Sequence, residues 1–267
     1  GFHPLMVFDG MTGDCLKVEL RAGNVYTSRN IVSFIGPLLS HYQKRFPSSY
    51  RIVRGDSGFA HKELYKLCET LNTNYVIRLK ANATLYRLAK EVMDVFLEEC
   101  SLQYSQQFYG EFEYQAKSWD RPRRVIVQVR RKAGELIPDY LFLVTNMETR
   151  PEMVISLYAK RGTMENYIKE CKNGFRMDKV SHKHWMTNVN RIQLMVLAYN
   201  LINGFRRLTL PHEFSKMQIE TLRIKLIKIA AKRVKQSRRI MFKLCSHHPY
   251  KEVFHHCLKT IQAIQLE

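Results

Sequence analysis

The sequence has 267 residues, enough for one large domain with an insertion or for two smaller ones. Hydrophobic residues make up 45%, which excludes a disordered chain. Lys and Arg number 43 against 24 Asp and Glu, and the resulting charge of +19 points to a polyanionic partner. Nucleic acid comes first, while a ribosome or an anionic membrane surface is left open by charge alone.

In chain order, His3 to Asp9 and Cys15 to Leu20 read as strands joined by a hairpin-type connection, Asp9-Gly10-Met11-Thr12-Gly13-Asp14. Ser28 is placed to cap a helix running to about Arg45, with Ile31, Phe34, Ile35, Leu38, Leu39 and Tyr42 as its apolar stripe. A short strand, Arg51 to Arg54, runs out into Gly55-Asp56-Ser57-Gly58. Next come a helix from Lys62 to Leu71, a strand from Tyr75 to Leu79 and a helix from Leu85 to Leu97. This order predicts an α/β sheet with helical crossovers. Gln103 to Tyr109, Phe112 to Lys117, Arg123 to Arg131 and Tyr140 to Thr145 then read as strands, rich in Tyr, Phe, Val and Ile. From about Pro151 the pattern is helical to the end, and Gln193 to Ile202 is apolar almost all round, as in a helix buried against a sheet.

The cysteines Cys15, Cys68, Cys100, Cys171, Cys245 and Cys257 are scattered without a CxxC pair, as expected of reduced thiols in a cytoplasmic protein. No apolar run reaches spanning length, and the start Gly1-Phe2-His3-Pro4 lacks a basic leader region. Neither a membrane span nor a signal peptide is therefore expected. Cys245, His247, His248, His255, His256 and Cys257 match no standard zinc spacing and read as surface residues.

Two features carry chemistry. Tyr158, Arg161, Glu165 and Lys172 succeed one another at offsets of 3, 4 and 7. On one helix, at about 100° per residue, they fall within about 60° of each other. A carboxylate in such a stripe can bind a metal ion, while the cations and the phenol suit phosphate oxygens. The plain alternative is an exposed face with an Arg161–Glu165 ion pair. Asp56 sits at the carboxyl end of a strand, where ligand groups collect, or else is a turn residue that caps the next helix.

Tyr158-x2-Arg161-x3-Glu165-x6-Lys172 resembles the Y-R-E-K signature of bacterial insertion-sequence transposases of the DDE class. Arg54-Gly55-Asp56-Ser57-Gly58-Phe59 is similar to the segment around their second catalytic Asp. Gly1-Phe2-His3-Pro4-Leu5 and Leu20-Arg21-Ala22-Gly23-Asn24 look like their hairpin region. The resemblance runs in the family's order from the first residue to at least Leu210.

It implies an RNase H-like mixed sheet, and with the residue pattern above this gives a first core part over 1–99, a β-rich insertion over 100–149, the remaining core with the Y-R-E-K helix over 150–210, and a basic helical region over 211–267. It further implies Mg²⁺, with Mn²⁺ as substitute, held by Asp56 and Glu165 for cleavage and transfer of DNA strands at transposon ends. Tyr158, Arg161 and Lys172 would hold the phosphates of double-stranded DNA. Homodimerisation and a place on the bacterial nucleoid follow from the resemblance alone.

The family's first catalytic Asp belongs to a strand upstream of the hairpin, and that strand is absent from this sequence. Asp9 and Asp14 read as turn residues rather than replacements. The expectation is an N-terminally truncated region with an incomplete metal site, marginal folding and no strand cleavage until the upstream segment is supplied. A catalytically dead DNA-binding remnant and a structure-selective nuclease on the same core are the competing readings.

Positive charge gathers in Lys117 to Lys132 and in Asn200 to Cys245, where Arg223, Lys228 and Lys232 accompany an apolar face of Ile219, Leu222, Leu226 and Ile229. These residues are expected on DNA phosphates. In related transposases an aromatic of the insertion stacks on a base at the transposon end. Trp119 is the candidate here, with a core or hairpin Trp as the alternative.

Overall fold

The computed structural model describes residues 1–98 and 103–265. Two compact units emerge: a sheet unit, Ala22–Gly162, and a hairpin unit made of Gly1–Arg21 with Thr163–Glu267.

The sheet unit holds α1 (Ile31–Arg45), β3 (Ile52–Gly55), α2 (Lys62–Thr70), β4 (Asn74–Arg78), α3 (Ala83–Glu98), β5 (Gln106–Tyr114), β6 (Arg123–Arg131), β7 (Asp139–Thr145) and α4 (Pro151–Ala159). The strands form one sheet in the order β3-β4-β7-β6-β5, with β3 parallel to β4 and the other neighbours antiparallel. Strands β5 to β7 therefore extend the β3–β4 sheet and do not make a separate one. Alternation along each strand divides the core. Val76, Ile126 and Leu143 face α4, where Val154, Ile155 and Tyr158 complete a buried cluster. One residue along from Val76, Tyr75 stacks on Tyr65 of α2 at 5.1 Å.

Two strands were expected over 103–117, yet β5 runs unbroken through Gly110. That glycine reflects close packing and not a turn: a Cβ there would lie 2.9 Å from both Met93 and Val92 of α3. Helix α1 starts from Asn30, in the left-handed conformation at φ 59°, and not from Ser28.

One buried ionic group ties the unit together. Arg123, whose side chain is 3% exposed, donates to both oxygens of Glu69 at 3.0 and 3.2 Å. Burial alone would raise the Glu69 carboxyl, but hydrogen bonds from Arg123, Arg121 and Tyr75 hold it below its ordinary value.

The hairpin unit begins with β1 (Phe2–Phe8) paired to β2 (Cys15–Ala22), joined in the chain's second half by α5 (Gly162–Phe175), α6 (Trp185–Thr209), α7 (Ile219–Leu222), β8 (Ala231–Gln236), β9 (Arg239–Leu244) and α8 (Lys251–Ala263). Cys15, Val18 and Leu20 pack against Cys171 of α5 and Ile192, Val196 and Tyr199 of α6. Polar side chains on α6 finish the bonding of the hairpin. Asn200 pairs with both the N–H and the carbonyl of Cys15, at 2.8 and 2.9 Å, and Tyr199 Oη donates to the Gly13 carbonyl at 2.9 Å. Gly13 has φ 76°, and a Cβ there would sit 2.8 Å from the Tyr167 ring, so glycine is required twice over. Asp9 accepts from the Met11 and Thr12 N–H groups, and Asp14 pairs with Arg207 at 2.8 Å, which are turn and bracing roles.

Three expectations need correction here. Helix α6 is not buried all round, because Leu194, Leu197 and Leu201 are exposed opposite its packed face. The region after Pro151 is not helical throughout, because β8 and β9 form an antiparallel hairpin registered from Ala231↔Leu244 to Gln236↔Arg239. The apolar face of Ile219, Leu222 and Leu226 is buried as expected, but the helix carrying it loosens into a π-helical turn over Arg223–Ile227 and ends before Ile229.

Candidate active site and nucleic-acid interface

Asp56 comes directly after β3 and caps a short 3-10 turn, Ser57–Phe59, accepting from the Gly58 N–H at 2.9 Å. Its other carboxylate oxygen accepts from Arg161 Nη2 at 3.3 Å. The Asp56 side chain remains 42% exposed, so it is held in place while open to a ligand. The capping alternative and the site alternative are thus compatible, since a cap fixes one oxygen and leaves the carboxylate accessible.

Tyr158 is buried at the end of α4, and its hydroxyl has no hydrogen-bond partner of good geometry among the described residues. Burial raises its pKa, while the neighbouring Arg161 and Arg78 cations pull it down and Asp56 adds to the rise. A neutral phenol, three arginines and one carboxylate thus gather where β3 and β4 end. The third arginine, Arg54, donates to the Leu157 carbonyl at 2.9 Å and so ties β3 to α4.

Arg78 was missed by the sequence reading. The signal was present: β3 and β4 are parallel and Gly55 pairs with Ile77, so Asp56, just past β3, and Arg78, the last residue of β4, come at the same end of the two strands. A strand end places Arg78 as it places Asp56.

The stripe Tyr158–Lys172 does not lie on one continuous helix. Helix α4 ends at Ala159 and α5 starts at Gly162, with the Arg161 N–H bonding three residues back to the Tyr158 carbonyl at 2.8 Å. Gly162 is a weak helix former, and it succeeds a residue whose side chain is drawn to Asp56. Glu165 lies in the first turn of α5, exposed, and Lys172 in its last turn. The separation of seven residues keeps these two on one face of α5. Lys172 is close enough to His3 to help lower its imidazole pKa, after burial and Arg21.

Trp119 is 8% exposed, and its ring packs edge-on to Tyr65 at 5.3 Å and to Tyr114 at 5.4 Å. Arg123 lies 5.7 Å above the same ring. This is the packing of a core residue, the alternative that the sequence left open. Arg223 sits on the π-helical turn, paired with Glu220 at 2.7 Å; Lys228 is exposed after it, and Lys232 is exposed on β8.

A metal ion makes demands that can be compared with these side chains. No group of three or more His, Cys, Asp or Glu residues is gathered among the described residues, the Cys245–Cys257 segment included. Asp56 by itself offers one ligand position and does not make a two-ion centre. Cys15, Cys68, Cys171 and Cys257 are buried thiols and Cys245 is exposed, while Cys100 lies outside the described residues. Among the described residues no helix is long and apolar enough to cross a membrane.

No curated protein matches the chain. The family model described as transposase DDE domain group 1 matches residues 1–266, and the chain belongs to that family.

Proposed function

We propose that the chain is the catalytic region of a DNA transposase that cleaves and transfers strands at transposon ends. The observation carrying this reading is the family match together with an exposed carboxylate, Asp56, pinned between a backbone N–H and Arg161 at the end of β3. The reading keeps an RNase H-like core, double-stranded DNA as substrate and a bacterial nucleoid setting. Asp56 and Glu165 supply two carboxylates for Mg²⁺, for which Mn²⁺ substitutes, and the ion would supply Lewis-acid chemistry at phosphorus. Arg161 holds Asp56 in one orientation, and Arg161, Arg78 and the neutral Tyr158 hydroxyl suit the non-bridging oxygens of a strand. Lys172 would take a further phosphate oxygen, and Arg223, Lys228 and Lys232 would take backbone phosphates.

A second reading, a DNA-binding remnant without chemistry, draws on the lack of a three-ligand group among the described residues. The test uses the protein as its gene encodes it, with DNA carrying the sequences that flank that gene. The first reading expects nicking with Mg²⁺ or Mn²⁺ that Asp56→Asn and Glu165→Gln each abolish while DNA binding persists. Binding without nicking by the unsubstituted protein would establish the remnant instead.

A further inference from the structure

A cleft of about 330 Å³ opens in the hairpin unit between the end of α5, the middle of α6 and the turn after α7. Phe175, Leu194 and Met195 give it apolar walls, and Arg176, Arg191 and Arg223 bring three guanidinium groups to it. Arg223 is partly neutralised by Glu220. Arg176 and Arg191 make no ion pair among the described residues. Exposed apolar walls beside unpaired arginines match a ligand that is itself divided into a flat apolar part and an anionic part. A lone phosphate would leave the apolar walls wet, and an intact duplex is too wide to enter. The volume falls at the lower end of the range for small-ligand pockets, about 300–1,000 Å³.

The backbone gives an independent pointer. Arg176 comes just after the last residue of α5 with φ 55°, a left-handed conformation that usually falls to glycine or asparagine at a helix end. The Met177 N–H reaches back to the Cys171 carbonyl at 3.1 Å, so the turn is a defined helix stop. Arginine there is a strained choice, and strain retained beside a cleft points to a role for the side chain.

We propose that this cleft binds one unpaired nucleotide of a DNA strand, its base against Phe175, Leu194 and Met195 and its phosphates on Arg176, Arg191 and Arg223. Base contact with an aromatic wall and arginine contact with phosphate are the two halves of single-strand recognition. The inference rests on the DNA-binding reading above and names a specific conformation for one nucleotide of that DNA.

The experiment compares three fluorescently labelled probes by anisotropy: a short paired duplex, the same duplex with one unpaired nucleotide, and the same duplex with an unpaired abasic position. Wild-type protein prefers the unpaired nucleotide to both other probes. Arg176→Gly and Arg191→Ala each remove that preference, by about tenfold, the usual weight of a charge-assisted hydrogen bond. Arg176→Gly also relieves the left-handed strain, so its Tm is unchanged or higher, whereas a purely structural role for Arg176 would lower it. Equal affinity for all three probes overturns the inference and leaves the DNA-binding reading standing. A preference that survives both substitutions places the nucleotide elsewhere and overturns it too. No binding to any probe overturns both.

Discussion

Two antiparallel arrangements in this chain put similar strands to opposite uses. The meander of β5, β6 and β7 buries Val125, Ile126, Val127, Phe142, Leu143 and Val144 almost completely. The hairpin of β8 and β9 buries nothing comparable: all six residues of β9 are exposed, Ile240, Met241 and Phe242 among them. Its strands and turn carry Lys232, Arg233, Lys235, Arg238, Arg239 and Lys243. A two-stranded hairpin in water has little stability of its own. The meander is therefore held by its core and its buried ion pair, while the hairpin presents an exposed cationic surface.

The largest effect expected from this contrast is on the meander. Arg123→Met strands the Glu69 carboxylate, which keeps only Arg121 and Tyr75, and should cost about 3 kcal/mol in chemical denaturation. Adding Glu69→Leu should recover most of that loss, because the unpaired charge is then gone as well. The pH dependence has a definite sign. The folded Glu69 carboxyl lies below its ordinary value, so its stabilisation is complete above the unfolded value of about 4.3 and fades as pH falls through the lower folded one. Wild type should lose stability in that acid window, and the double variant should lose less. A variant pair that behaves like wild type would mean that the network contributes nothing.

A smaller effect is expected in the cationic region. Replacing Arg223, Lys228 and Lys232 by Ala should leave Tm nearly unchanged, yet flatten the slope of log affinity for duplex DNA against log salt by about 0.9 for each phosphate left without its cation. An unchanged slope would reduce these side chains to a solvated face. The smallest effect concerns proteolysis. Trypsin should cut first between Lys232 and Lys243, and excess DNA should slow that cut several-fold; a first cut within β6 would reverse the contrast between meander and hairpin.

The same contrast explains what the sequence revealed. Strands β6 and β7 were legible almost to the residue, because continuous Val, Ile, Leu and Phe runs mark strands buried on both faces. Strands β8 and β9 were not, because Lys and Arg at 232, 233, 235, 238, 239 and 243 mask any alternation, and the basic run reads as the solvated side of a helix. The β1–β2 hairpin was legible from its Asp-Gly turn residues, but Gly110 misled, since a glycine kept for close packing looks like one kept for a turn. At the candidate site, Asp56 stood out through its glycine-flanked strand end. Arg78 did not, because its place beside Asp56 depends on the β3–β4 register, a long-range pairing with no local mark. The break at Lys160–Arg161 was hidden for a related reason: the motif spacing is helical on both sides, and only Gly162 hints at the interruption.

Under the proposed function Asp56 and Glu165 serve one metal site although they lie far apart in sequence. Metal–oxygen bonds of about 2 Å require both carboxylates to meet at the ion. Fe²⁺ substituted for Mg²⁺, with ascorbate and peroxide, cuts the backbone beside the groups that hold it, and the cuts can be mapped by mass spectrometry on the DNA-bound protein. Cuts are expected next to both Asp56 and Glu165, with Asp56→Asn or Glu165→Gln removing both sets together. Cuts at one position only, or one set surviving the loss of the other carboxylate, would contradict it.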